Sequence, residues 1–230
     1  MQNLKVIYED NHIIVVEKQP NIPSQADKTE DIDMITIIKN YLKIKYNKPG
    51  NVYLGLVHRL DRPVGGVMVF AKTSKAASRL SNQVREKVFK KKYLAVVDGK
   101  VDPKNGILED YLYKDERNNI SRVVNKEKKN SKYAKLDYEV LHYNNIKDLT
   151  LLKINLYTGR HHQIRVQLAN FDHSIFGDNK YGSRGRGKQI ALWAYQLEIE
   201  HPVTKEKLLF SDLPEPVGTW CILKEFNLND

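Results

Sequence analysis

The sequence predicts an α+β fold with a mixed, mostly antiparallel central β-sheet flanked by helices and loops. Short strand-like runs dominate the 230-residue chain, above all from Tyr93 onward. Helical patterns interrupt these runs without the strict strand–helix alternation of a doubly wound protein. No internal repeat, low-complexity linker or shift in composition divides the chain. We therefore expect a single domain over residues 1–230.

The beginning of the chain predicts a hairpin followed by a helix. Two strand-like runs between residues 4 and 17 flank the turn signal "EDNH". The segment "DIDMITIIKNYLKIKYN" then has helical spacing of its apolar residues, with Asp31 or Asp33 as the N-cap. The "KPG" that follows is a helix stop.

The next part predicts two strands and a second helix. "NVYLGLV" and "GGVMVFA" have the composition of strands. "TSKAASRLSNQVREK" has helical spacing, and Thr73 is a suitable N-cap. The predicted inner face of this helix consists of Ala77, Leu80 and Val84.

The second half predicts mainly strands, with one more helix. The expected strands are "KYLAVVDG", "GILEDYLYK", "ISRVV", "YAKLDYEVLHY" and "LTLLKINLY". "GRHHQIRVQLANF" returns to helical spacing. A strand pair turned at "HPVTKE" follows, and the proline-rich "SDLPEPVGTW" is predicted to be a loop.

Charge and composition favour a polyanionic partner. The formal net charge is +10, and lysine and arginine concentrate in "VREKVFKKKY", "SRVVNKEKKNSKYAK" and "NKYGSRGRGK". Three solvated surfaces would explain these clusters equally well. Because Cys221 is the only cysteine, a disulfide framework is excluded. The N-terminal sequence is not typical of a signal peptide and no apolar run suits a membrane span, so we expect a cytoplasmic protein.

The segment "VHRLDRPVGGVMVFAK" places Asp61 between Arg59 and Arg62 at the start of an apolar run. A neighbouring positive charge favours the ionised form of a carboxylate, and a positioned carboxylate serves as a nucleophile, a base or a cation ligand. An Arg–Asp pair that only closes a turn is the alternative.

A second polar cluster lies in "LYTGRHHQIRVQL". Helical spacing places His161 and Arg165 on one face. Adjacent His161 and His162 are expected to point to different faces, which disfavours a metal site made with His58. Tyr93 in "KKKYLAVV" would by itself be a residue that packs in a sheet.

Taken together, "HRLDRPVGGVMVFAK", "KKYLAVVDG" and "TGRHHQIRVQL…DNKYG" resemble the motifs of pseudouridine synthases of the RluA/RluD type. The resemblance extends to the opening "VIYEDNHIIVVEKQPNIPSQ" and the closing "LEIEHPVTKEKLLFSDLP", and so covers most of the chain. It implies a pseudouridine-synthase-like fold and an isomerase. The chain has no room for the S4 RNA-binding domain of some members, so we expect a stand-alone catalytic domain.

The resemblance assigns the site residue by residue. Asp61 matches the catalytic aspartate, Tyr93 the active-site tyrosine that packs against the target base, and Arg165 the arginine that pairs with the aspartate. Arg59 matches the residue thought to fill the gap left by the flipped nucleotide. The expected RNA contacts are His58, Arg59, Arg62, Lys91, Lys92, Arg160, His161, Gln163, Arg184 and Arg186.

The implied reaction converts uridine to pseudouridine, with attack by the aspartate at C6 or at C1′ or assistance in breaking the bond. The reaction changes no oxidation state, so neither a metal nor another cofactor is expected. A stacked uridine must be flipped out first, and the Tyr93 hydroxyl is a candidate for handling the C5 proton. We expect ribosomal or transfer RNA as the partner, no membrane, and a monomer. The sequence leaves open which RNA and which uridine are modified.

Three features depart from the family pattern, and two rivals remain. "PVGG" replaces the usual hydroxyl-rich turn after the aspartate, and "KQPNIP" replaces the usual Lys-Pro-x-Gly. Trp193 stands where many relatives carry histidine, and packing is its expected role. A noncatalytic RNA-binding or ribosome-assembly protein on the same fold would share the charge pattern but would not need Asp61, Tyr93 and Arg165 together. The other rival, an RNA nuclease, is disfavoured because carboxylates and histidines do not cluster.

Overall fold

The computed structural model describes residues 4–185 and 188–226. The chain forms two compact units. The first consists of Met1–Lys90 and Ala194–Leu213, and the second of Lys91–Trp193 and Pro214–Asp230. The chain therefore leaves the first unit within one strand and returns to it within another.

The first unit contains a mainly antiparallel sheet and two helices. Its strands are β1 (Val6–Glu9), β2 (Ile13–Lys18), β3 (Gly55–Leu56) and β4 (Gly65–Ala71), with most of β10 (Leu192–Glu200) and all of β11 (Lys207–Ser211). Strand β2 pairs with β1 on one side and β4 on the other, β3 pairs with β4, and β11 pairs with β10, all antiparallel. The helices are α1 (Met34–Lys45) and α2 (Ser74–Arg85).

Both helices begin at side-chain caps. Asp33 accepts a hydrogen bond from the Thr36 amide, and Thr73 accepts one from the Ala76 amide, which satisfies a backbone donor at each helix start. The fully buried run of β2 and β4 supplies the apolar surface on which α2 packs. The core of this unit consists of Ile13, Val15, Val67, Val69, Ala71, Ala76, Leu80, Phe89, Leu197, Ile199 and Phe210.

The second unit is built on a five-stranded antiparallel sheet. Its strands are β5 (Lys90–Asp98), β6 (Asn105–Asp115), β7 (Ile120–Val124), β8 (Lys132–Asn144) and β9 (Leu149–Leu156), in the order β5-β9-β8-β6-β7. Every one of these pairings is antiparallel. Helix α3 (Gln163–Asn170) and a 3-10 helix (Gly218–Glu225) complete the unit. The predicted mostly antiparallel α+β architecture is confirmed.

Several local predictions differ from the structure. The run "NVYLGLV" forms only the two-residue strand β3, because just Gly55 and Leu56 pair with β4. The predicted inner face of α2 is the exception, because Leu80 is in the core and Ala77 and Val84 are partly buried against it; Ala76 and Gln83 are buried as well. The tail predicted as a loop contains the 3-10 helix. Trp193 is buried, as packing requires.

Gly66 permits a close backbone approach inside the first unit. Its φ is +124°, and a Cβ there would lie 2.3 Å from the carbonyl oxygen of Ala194. We expect Gly66→Ala to lower the free energy of unfolding by about 3 kcal/mol or more, because backbone strain and a backbone clash act together. Urea denaturation measures this. Gly50→Ala is the control, since its Cβ would meet open space. Equal effects of the two substitutions would contradict the strain argument.

Candidate active site

The segment that carries Asp61 is held by hydrogen bonds at every second residue from 58 to 64. The His58 imidazole Nε2 accepts a hydrogen bond from the Val69 amide at 3.1 Å. Ser24 Oγ donates to the Leu60 carbonyl at 2.8 Å and accepts from the Leu60 amide at 3.2 Å. Further along, the Val64 amide closes a turn on the Asp61 carbonyl at 2.9 Å. The segment is thus a fixed frame rather than an open loop.

A buried lysine completes this frame. Lys18 is fully buried, and its Nζ donates to the carbonyls of Gln19 at 3.1 Å, Arg62 at 2.9 Å and Val64 at 2.7 Å. Three hydrogen bonds use all three protons of an ammonium group, so this cradle binds the charged form. Burial nevertheless lowers the pKa of Lys18 to about 7, opposed by the attraction of the Asp61 carboxylate.

The two arginines beside Asp61 differ in their surroundings. The Arg62 guanidinium forms ion pairs with Asp27, at 3.4 Å, and with Asp31, and donates to Thr29 Oγ1 at 2.7 Å. It therefore ties residues 27–31 to the frame. Arg59 is exposed, and no hydrogen bond or ion pair holds it in the part of the chain that the structure describes. The Asp61 side chain is half-buried between these positions.

The other predicted catalytic residues lie in the second unit. Tyr93 is 5% exposed on β5, opposite Ile154 of β9. Lys91 projects from the same side of β5, because side chains alternate along a strand. Its Nζ would lie 3.3 Å from a Cβ at Gly159, and burial lowers its pKa. Lys92 points to the opposite face of the strand.

Arg165 is held by a buried carboxylate. Its Nε and Nη2 donate to the two oxygens of Asp178 at 2.7 and 2.8 Å, and both side chains are at most 5% exposed. The guanidinium also lies 5.3 Å from the centre of the Tyr181 ring. A bidentate pair of this kind fixes the guanidinium plane as well as its position.

Next to this pair, the two histidines stack on each other. Their ring centres are 3.7 Å apart, contrary to the prediction that His161 and His162 point to different faces. The reason is the left-handed backbone of His162, whose φ is +52°. Helix α3 begins only at Gln163, so the predicted helical pairing of His161 with Arg165 also fails.

Polar contacts fix both rings. The Tyr181 hydroxyl accepts from the Ser121 amide at 2.8 Å and forms a hydrogen bond with His162 Nδ1 at 2.9 Å. Ser121 Oγ donates to the His161 carbonyl at 2.7 Å and lies 2.9 Å from its Nδ1. Burial, followed by the charge of Arg165, lowers the pKa of His162 to about 2. His162 is therefore neutral.

The remaining predicted RNA contacts differ in their availability. Gln163 is buried, and its amide bonds to Thr158 Oγ1, the Lys135 carbonyl and Gln167. Arg160 is exposed, with its Nε on the Tyr133 carbonyl at 2.8 Å. Arg184 pairs with Asp98 and Asp148. Arg186 lies outside the described residues.

Lys18 and Asp178 are the two site residues that sequence reasoning missed. Both lie in segments that resemble family motifs, "VVEKQP" and "DNKYG". A charged residue inside each of these segments was the sequence signal that could have identified them. Within residues 4–185 and 188–226, no three His, Cys, Asp or Glu side chains are grouped to hold a metal ion. No helix there is long and apolar enough to cross a membrane.

Comparison with known proteins gives consistent matches. A sequence model described as RNA pseudouridylate synthase matches residues 12–170. An uncharacterized RNA pseudouridine synthase of Bacillus subtilis is 32% identical, over 93% of this chain and 69% of its own length. The ribosomal large subunit pseudouridine synthase D of Vibrio cholerae is 32% identical, over 90% of this chain and 66% of its own length. An uncharacterized Helicobacter pylori RNA pseudouridine synthase is 31% identical, and the chain spans 65% of its length.

A solved structure has the same fold. The human RNA pseudouridylate synthase domain containing 4 superposes with a TM-score of 0.76, covering 92% of this chain and 89% of the human chain at 22% identity. At this identity the likeness concerns the fold. The fold of this chain is thus one that a solved structure shares.

Lys18→Met tests the carbonyl cradle. It removes the donor of three carbonyl hydrogen bonds, of which the one to Val64 is buried and the other two are partly buried, so we expect the free energy of unfolding to fall by about 3 kcal/mol. Urea denaturation gives the value. Lys28→Met is the control, because Lys28 is an exposed lysine of the same unit, and should cost less than about 0.5 kcal/mol. Similar losses would refute the cradle.

His162→Asn tests the neutral imidazole. Because the folded-state pKa lies below that of the unfolded chain, the unfolded chain alone gains a proton as pH falls through about 6.5. The contribution of the neutral His162 to the free energy of unfolding is fully present above pH 6.5. It should decline by about 1 kcal/mol from pH 6.5 to 5.5.

Asparagine accepts the left-handed backbone and offers an oxygen near the position of Nδ1, but it does not titrate. We therefore expect a flatter pH dependence of the unfolding free energy in His162→Asn than in the wild type. Parallel curves for the two proteins would show that His162 does not carry this dependence.

Proposed function

The chain belongs to the RNA pseudouridylate synthase family, and on that premise we propose that it isomerises uridine to pseudouridine in RNA, with Asp61 as the nucleophile. The observation that carries the proposal is the frame around Asp61. Leu60, Arg62 and Val64 are fixed by Ser24 and Lys18, and the half-buried Asp61 lies between them in the sequence. A nucleophile gains most when its approach is set before the substrate binds.

Tyr93 and Arg165 keep the roles that the family resemblance assigns. Tyr93 offers a rigid aromatic ring at the start of β5, suited to packing against a uracil, and we propose that its hydroxyl handles the C5 proton. Arg165 is proposed as the arginine that supports the catalytic carboxylate. The bidentate contact with Asp178 favours a single orientation of its guanidinium.

We propose that the target uridine is flipped out of its helix or loop, with Arg59 filling the gap. Extrusion of a base costs a few kcal/mol, and a side chain that takes its place in the stack recovers part of that cost. Arg59 supports this role because it is exposed and no contact with a described residue restrains it.

The reaction balances without an oxidant or a reductant. The bond between C1′ and N1 breaks, a bond between C1′ and C5 forms, C5 loses a proton and N1 gains one. A covalent bond to the Asp61 carboxylate during the exchange is formed and broken within one turnover. Accordingly, we expect the chain to need no cofactor and to act as a monomer in the cytoplasm.

Ribosomal or transfer RNA is the proposed substrate. The net charge of +10 suits a phosphate backbone, whose contacts give affinity and orientation without sequence information. The Vibrio cholerae relative is named for the ribosomal large subunit, which makes ribosomal RNA the first substrate to examine.

The test is pseudouridine mapping at single-nucleotide resolution in cells that lack the gene. One or a few sites in ribosomal or transfer RNA should disappear on deletion and return with the wild-type gene. Asp61→Asn should fail to restore them, because the amide keeps the shape but not the nucleophile. Asp27→Asn is the control, since Asp27 is an exposed carboxylate of the same unit.

Purified protein separates the enzyme from a noncatalytic RNA-binding protein. Wild type should form pseudouridine in transcripts containing the mapped sites, and Asp61→Asn should retain RNA affinity but lose at least 1,000-fold in rate, about 4 kcal/mol of activation free energy. Affinity without turnover in the wild type would refute the proposal and favour the binding protein.

A further inference from the structure

The part of the second unit's sheet that β6, β7 and β8 form has one buried face and one more exposed face. On β8, Ala134, Leu136 and Tyr138 are buried, whereas the residues between them are more exposed. Tyr93 of β5 lies on the buried side, since it is opposite Ile154, which is fully buried. The exposed face of β6, β7 and β8 is therefore a surface different from the one to which Tyr93 points.

Tyrosines line this exposed face. Tyr111 of β6 lies directly opposite Tyr133 of β8, and their rings meet edge to face with centres 5.8 Å apart. Tyr113 is two residues along β6 on the same face, and Tyr157 follows the end of β9. Tyr133 and Tyr157 are 38% and 49% exposed. An exposed sheet face normally carries polar side chains, so four tyrosines are unexpected there.

Basic residues stand among these rings. Arg122 of β7 is opposite Tyr113, and the ammonium of Lys128 lies 5.3 Å from the centre of the Tyr113 ring. Lys135 lies 5.9 Å from the centre of the Tyr157 ring. The loop between β7 and β8 adds the exposed lysines Lys126 and Lys129. The charge of Arg122 acts on Asp115 and helps to lower its pKa, whereas Lys126 and Lys129 have no acidic partner among the described residues.

The acidic residues on this face hold the rings. Glu109 accepts from the Tyr133 hydroxyl at 2.8 Å and pairs with Lys135 at 2.7 Å. Asp137 accepts from the Tyr157 hydroxyl at 2.6 Å. Each carboxylate thus holds a tyrosine by its hydroxyl group and does not use the apolar face of the aromatic ring. Rings fixed in this way lose little entropy when a flat partner stacks on them.

We propose that this tyrosine–lysine face of β6, β7 and β8 binds a single-stranded segment of the RNA substrate, with bases stacked on the rings and phosphates on the cations. The proposal rests on the proposed function, because it places RNA that flanks the target uridine. Stacking on aromatic rings accepts every base, and interleaved cations follow the backbone. A protein partner is disfavoured because charged side chains are depleted at the centres of protein interfaces.

The test uses a fluorescent cytidine dodecamer, which is single-stranded at neutral pH and contains no uridine to isomerise. We expect the double substitution Tyr113→Leu with Tyr133→Leu to weaken binding about tenfold or more, measured by fluorescence anisotropy at low salt. Tyr53→Leu, an equally exposed tyrosine of the first unit, should leave the affinity unchanged. Tyr157→Leu, at the strand end, provides a second variant if the double variant fails to fold.

The salt dependence provides an independent measurement. Lys128→Gln with Lys129→Gln should lower the slope of log affinity against log salt by about 1.4, as expected for two phosphate contacts on a single strand. The same change at Lys43 and Lys48, exposed residues at the end of α1, should leave the slope unaltered.

Unchanged affinity for the cytidine dodecamer in both tyrosine variants would refute the proposal that the tyrosine–lysine face binds RNA. The outcome is separable from the proposed function, because pseudouridine formation is measured on a short stem-loop that presents only the target site. If the wild type forms pseudouridine but the tyrosine variants bind the dodecamer as tightly as the wild type, only this inference is refuted. If the tyrosine variants bind the dodecamer more weakly but the wild type forms no pseudouridine, only the proposed function is refuted.

Discussion

A single buried ammonium group fixes the segment on which the proposed chemistry depends. Lys18 is the last residue of β2, and its Nζ binds two carbonyls of the turn that leads into β4 as well as the carbonyl of the next residue, Gln19. Burying a charge is unfavourable unless hydrogen bonds replace the lost water. The three carbonyls meet this demand, and because two of them flank Asp61 closely in sequence, the backbone around the carboxylate has little freedom to move.

The second unit solves a comparable problem with a carboxylate. Asp178 neutralises Arg165 where both are shielded from water, and the neighbouring His162 stays neutral. A buried ion pair adds little net stability compared with apolar packing, but losing one partner is costly. The pair is therefore better understood as a device that fixes geometry. Tyr181 serves both halves of this arrangement, through its ring toward Arg165 and its hydroxyl toward His162.

Local signals in the sequence predicted local structure well. The caps Asp33 and Thr73 and the hairpin turn follow from interactions within four residues. The contacts of Lys18 could not be predicted in this way, because its carbonyl partners are up to 46 residues distant and meet it only through the register of β2 on β4. Similarly, the stacking of His161 on His162 depends on one left-handed backbone conformation. The resemblance of motifs gave the proposed catalytic residues, but not the residues that hold them.

Between residues 58 and 64, every second residue is anchored by internal hydrogen bonds. Residues that stabilise the fold therefore alternate with residues that are available for the proposed chemistry. His58, Leu60, Arg62 and Val64 take part in the internal hydrogen bonds, while Arg59 faces solvent. Evolution can therefore exchange the side chain at position 59 with little penalty to folding. Such a position is a natural place for substrate preference to diverge among duplicated copies of the gene. The same property makes it the first site to randomise in a library that seeks altered RNA specificity.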